Sequence, residues 1–216
     1  MHSDIAIGAH ALPGILEAPV GAHGLVIFAH GSGSSRLSPR NAYAARVLQR
    51  RGFATLLFDL LTTGEAADRR NVFDIALLAS RVEEAIRWAR ADARTSALPI
   101  GLFGASTGAA AAIVAATLEA DEVGAVVSRG GRPDLAGKAL GRIAAPTLLI
   151  VGGDDRDVIP LNEAAQSAMH CETKLVIVPG AGHLFEEPGT LDAALVAAGE
   201  WFTSHLQEGA RDRVVS

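Results

Sequence analysis

Cysteine, lysine and aromatic residues are scarce in this chain of 216 residues, and each scarcity narrows what it can be. Cys171 is the single cysteine, so no disulfide can close within the chain. It sits between a helical segment and a strand and reads as a passive thiol. Lys138 and Lys174 are the only lysines among 19 basic residues, an arginine bias that genome composition explains without any function. One tyrosine, two tryptophans and seven phenylalanines leave little pocket chemistry from which to read a substrate. The formal charge of −5 excludes nucleic acid as the main partner, because neutralising phosphates takes a basic face. No apolar run approaches the ~18 residues of a membrane span. The opening Met1-His-Ser-Asp lacks the basic and apolar regions of a secretory signal, so the expected compartment is the cytoplasm.

What is present is a core. Hydrophobic residues make up 49% of the chain and charged residues 20%, a balance that excludes wholesale disorder. The length suits one domain, expected over residues 1–206, with a polar tail over 207–216.

Apolar runs alternate with amphipathic stretches. Ile5–Ala9 and Gly14–Ala18 read as two short strands joined at Pro13-Gly14. Leu25–Ala29 is continuously apolar, as a strand buried on both faces should be. Strands follow at Phe53–Phe58, Leu98–Phe103, Val123–Val127, Thr147–Val151 and Lys174–Val178. Between them lie helical patterns over residues 39–51, 73–92, 109–118 and 160–169, with a short helix ending at Leu140. An amphipathic helix over Leu191–Leu206 closes the series. Such alternation predicts an α/β fold: a doubly wound, mostly parallel sheet with helices on both faces and no lid domain. Sites in such sheets lie at the C-terminal ends of the strands.

At one of those ends stands Gly104-Ala-Ser106-Thr-Gly108, a G-x-S-x-G sequence between a strand and a helix. A serine on so sharp a turn takes a strained backbone conformation, which demands nearly side-chain-free residues two before and two after it. A serine hydroxyl needs a base to take its proton, and the base needs an orienting carboxylate. Two later strands run into loops that offer both: Gly152-Gly-Asp154-Asp155-Arg-Asp157, and Pro179-Gly-Ala-Gly-His183. His183 is the expected base. Asp155, central in its loop, is the expected acid, with Asp157 next and Asp154 as a turn residue. The oxyanion hole is expected from the backbone N–H groups of Thr107 and of Ser32, in the loop after Leu25–Ala29. His30 is expected to shape that loop. Arg129, Arg132 and Arg36 follow strand ends on the same side and are candidates for binding an anionic group on the substrate.

With Phe28-Ala-His-Gly-Ser-Gly33, the elbow, Gly152-Gly-Asp-Asp155 and Gly180-Ala-Gly-His183 in hand, the chain resembles the dienelactone hydrolase-like branch of the α/β-hydrolases over roughly residues 14–206. The resemblance implies Ser106 as nucleophile, Asp155 as orienting acid and His183 as base, with no metal or organic cofactor. One departure stands out: the founding members carry cysteine at the nucleophile, and here it is serine. Serine-bearing relatives look like general carboxylesterases, so the expected partner is a small-molecule ester or thioester, with the anionic group that the arginines would bind as a candidate feature.

Overall fold

The computed structural model describes residues 2–212. Eight strands form one sheet: β1 (His2–Ile7), β2 (Leu12–Glu17), β3 (Leu25–Ala29), β4 (Ala54–Phe58), β5 (Ile100–Ala105), β6 (Val123–Arg129), β7 (Thr147–Gly152) and β8 (Thr173–Val178). Six α-helices connect them: α1 (Pro39–Arg50), α2 (Thr63–Ala66), α3 (Ile75–Ala91), α4 (Thr107–Leu118), α5 (Ile159–Ala168) and α6 (Thr190–Asp212). The strand order is β1-β2-β4-β3-β5-β6-β7-β8. Strands β3 to β8 are parallel, while the β1–β2 hairpin joins β4 antiparallel. After β3 the chain first builds outward to β4 and then returns to place β5 on the other side. Ligand crevices in open α/β sheets form where the strand order reverses in this way.

Period-two burial splits the core into two layers. Leu25, Ile27 and Ala29 of β3 lie in the layer with α3 and α4, whereas Val26 and Phe28 lie in the layer with α1 and α6. Helix α4 is apolar around its whole circumference and buried on all sides, as its run of alanines requires. Helices α1 and α3 are amphipathic and capped by Ser38 and Asp74, whose side chains accept from Asn41 and Leu77 N–H groups.

Several boundaries differ from the sequence reading, β5 among them, which runs over Ile100–Ala105 rather than Leu98–Phe103. The first hairpin turns at Gly8–Ala11, where Gly8 and Ala11 take positive φ, and Pro13 lies within β2 opposite Ala6. Proline is tolerated there because its missing donor does not interrupt a central ladder. Strand β6 extends to Arg129, two residues past the end expected from its apolar run. Helix α6 continues to Asp212, so the first six residues of the expected tail are helical, and 213–216 lie outside the described residues. The connection from β6 to β7 holds a short 3-10 helix, Pro133–Ala139, where related folds carry a lid. Among the described residues no helix is long and apolar enough to cross a membrane.

Candidate active site

The loop after β5 makes the turn its sequence demands. Ser106 has φ 51° and ψ −124°, a conformation that costs a non-glycine residue about 1–3 kcal/mol. Its neighbours leave no room for side chains. A Cβ on Gly104 would collide with the backbone of Ala109, and one on Gly108 with the carbonyl of Ala29. The turn is braced from β6: the Ser106 N–H donates to Gly130 O at 3.2 Å, and the Arg132 N–H donates to Ser106 O at 3.1 Å. Gly130 N–H in turn donates to Ile150 O of β7, so the sheet's ladder runs on into the site. The loop after β3 packs against the same turn, since a Cβ on Gly31 would stand 2.8 Å from Ser106 Cβ.

The loops after β7 and β8 meet beside it. Gly153 N–H donates to Val178 O and Asp154 N–H to Ala181 O, which locks the acidic loop to the histidine loop. Asp155 Oδ2 lies 2.6 Å from His183 Nδ1. Of the three aspartates weighed from sequence, Asp155 makes this bond. The contact fixes the proton on Nδ1 and leaves Nε2 free to accept another. Ser106 Oγ makes no hydrogen bond to His183 among the described residues, and such contacts commonly tighten only with substrate in place.

Ser106 and His183 line one cavity of about 610 Å³ together with Gly31, Ser32, Arg40, Arg129 and Leu184. The N–H groups of Ser32 and Thr107 donate to no other backbone group among the described residues, so both are open to an incoming acceptor. His30 holds the loop that carries Ser32. Its Nε2 accepts from Leu60 N–H at 3.1 Å, so its proton sits on Nδ1, which faces Gly31 O at 3.0 Å. Burial pushes its pKa below the ordinary histidine value, against the opposing pull of the Gly31 carbonyl and Asp59.

The three arginines part company. Arg129, the last residue of β6, is 7% exposed and lines the cavity. Its Nε and Nη1 have no hydrogen-bond partner among the described residues, and its guanidinium lies 5.6 Å from the centre of the Phe185 ring. Burial, with the like charge of Arg40 second, pulls its pKa down to about 10, which still leaves it charged at neutral pH. Arg36 is instead held by Asp59 through both its backbone N–H and its guanidinium. Arg132 is committed to Asp134 by paired bonds of 2.8 Å. Neither Arg36 nor Arg132 is among the residues lining the cavity. Sequence reading missed Arg40, which looks like an ordinary first-turn residue of α1, and Phe185, which packs under Arg129.

An eight-stranded, mostly parallel sheet with helices on both faces, with a strained serine turn after the fifth strand and an aspartate and a histidine after later strands, places this structure among the α/β-hydrolase folds. The dienelactone hydrolase family model matches residues 12–206, and the chain belongs to that family. It is similar to the crystal structure of a dienelactone hydrolase from Anabaena variabilis, with a TM-score of 0.92 and 53% identity over 95% of this chain and 97% of that one. Est1E from Butyrivibrio proteoclasticus shares the fold, with a TM-score of 0.79 at 16% identity over 94% of this chain and 98% of the other. In sequence it is 55% identical over 202 residues to a putative phosphoribosyl transferase of Mycobacterium tuberculosis, covering 94% of this chain. The chain spans about half of that relative's length, 46%. Family and fold together support a hydrolase.

Proposed function

We propose that the protein is a serine hydrolase of carboxylic esters or thioesters that works through an acyl-enzyme. The observation that carries this reading is the strained Ser106 sharing a cavity with a histidine already oriented by a carboxylate at 2.6 Å. Ser106 Oγ attacks the substrate carbonyl carbon as its proton passes to His183 Nε2. The oxygen that becomes negative is held by the N–H groups of Ser32 and Thr107. The bond to the alcohol or thiol then breaks, and His183 returns the proton to the leaving atom. Water repeats the sequence on the acyl-serine and restores the hydroxyl. Asp155 stays ionised throughout and stabilises the imidazolium.

Arg129 gives the substrate a charge preference. A buried guanidinium with unpartnered donors on the cavity wall suits a carboxylate or phosphate group. The name of the mycobacterial relative belongs to a chain about twice as long, and the serine beside a carboxylate-oriented histidine supports acyl transfer to water instead. A fluorophosphonate probe tests the reading: it should label the wild-type protein and leave a folded Ser106→Ala variant unlabelled. Equal labelling of both would refute it.

A further inference from the structure

A second cavity, of about 280 Å³, lies on the far side of the oxyanion loop. It shares Gly31 to Ser35 with the catalytic cavity as a common wall. Leu60, Leu61, Ala66, Val72 and Leu78 supply an apolar stretch of its remaining lining, with His30, Asp59 and Thr63 as its polar members. Thr107, the residue after the nucleophile, closes its inner end. His183 and Arg129 line only the first cavity, and Thr107 only the second.

This division has a chemical consequence. The leaving group must take a proton from His183, so it departs on the side where His183 stands. The acyl group remains attached to Ser106 with its oxygen toward Ser32 and Thr107, and so extends to the other side. Resting on the serine hydrolase reading above, we propose that the two cavities sort the halves of the substrate. An apolar acyl chain occupies the Leu60–Leu78 cavity, and an alcohol or thiol bearing an anion occupies the Arg129 cavity. The substrate class is therefore an ester or thioester of an uncharged carboxylic acid with an anionic alcohol or thiol. A carboxylate at the distal end of the acyl chain would have to enter a cavity whose other lining is mostly apolar and whose one acidic residue, Asp59, repels it, so it is strongly disfavoured there.

The test uses p-nitrophenyl esters from acetate to octanoate, then hexanoate esters of 4-hydroxybenzoate and of its neutral methyl ester. A p-nitrophenyl monoester of adipate places the anion on the acyl side instead. In the wild type kcat/KM should rise about fourfold per methylene until the cavity is full. The hydroxybenzoate ester should outpace its neutral counterpart, and the adipate ester should fall below hexanoate. Ala66→Trp, at the exposed mouth of the second cavity, and Val72→Phe, within it, should each collapse the octanoate-to-acetate ratio. Arg129→Gln should abolish the preference for the charged alcohol, a loss of tenfold or more, without altering the chain-length profile. Melting curves identify any variant that fails to fold, and the wild-type profile stands without them. Turnover that depends on Ser106 but is flat with chain length, or faster for adipate than for hexanoate, overturns the division while leaving the hydrolase intact. Turnover that survives Ser106→Ala overturns the hydrolase reading and the division with it.

Discussion

Ala105 and Arg129 are paired in register at the C-terminal ends of β5 and β6. Ser106 therefore follows directly from the residue beside the buried arginine, and the sheet's register sets the two next to one another. A guanidinium in that place is costly. Its burial without hydrogen-bond partners for Nε and Nη1 opposes folding, and the Phe185 ring offsets only part of that, about 0.5–2 kcal/mol. Arg129→Met keeps the aliphatic stem and removes the charge. It should stabilise the protein by about 1–3 kcal/mol in chemical denaturation while lowering kcat/KM for an anionic ester. A destabilised Arg129→Met protein would show that the charge has a partner within the fold.

Asp155→Asn should cripple turnover, by about 10⁴ in kcat, because the amide holds the imidazole in the wrong tautomer. Asp154→Asn and Asp157→Asn should change it little. Asp154 acts through its backbone N–H to Ala181 O, which the substitution keeps. Steady-state kinetics on the three variants decides among them, and a larger loss at Asp157 would move the acid by two positions.

His30 links pH to stability. Its folded pKa lies below its unfolded value of about 6.5, so between the two the unfolded chain binds the proton and the folded one does not. Its contribution is whole above about pH 6.5 and is lost as the pH falls through that window. Denaturation curves of the wild type and His30→Gln from pH 8 to 5 should converge as the pH drops, because only the wild type carries this dependence. Parallel curves would mean that His30 is not held neutral by the fold.

Gly108→Val should abolish activity by displacing the elbow, since its side chain would run into the Ala29 and His30 carbonyls. The fault is steric and in the backbone, so melting temperature and activity should fall together. A variant of normal stability and activity would show that β3 and α4 are not in the close contact described.

Much of this was legible in the order of residues. Buried parallel strands announce themselves as unbroken apolar runs such as Leu25–Ala29, and the elbow's glycines mark a turn that few other functions require. The bond between Asp155 and His183 was legible as a pair of strand-end loops, although the choice among three aspartates rested on position alone. The arginines show where such reading stops. Arg36, Arg129 and Arg132 all read as following strand ends, but the partner each finds, or lacks, decides its role, and position alone does not show it. Arg36 meets Asp59, 23 residues away, Arg132 meets its neighbour Asp134, and Arg129 is left unpaired. The second cavity was invisible for a similar reason: Leu60, Ala66, Val72 and Leu78 belong to a loop, α2, the 3-10 turn Asn71–Phe73 and α3, so no single element's pattern marks them and only the fold brings them together.

The central claim is that Ser106 carries the acyl group. Rapid quenching of the protein with p-nitrophenyl hexanoate, followed by intact-mass and peptide mass spectrometry, measures this directly. A single hexanoyl adduct is expected on the peptide containing Ser106 in the rapidly quenched wild type, absent from Ser106→Ala. An adduct on any other residue, or full turnover by a folded Ser106→Ala protein, would contradict it.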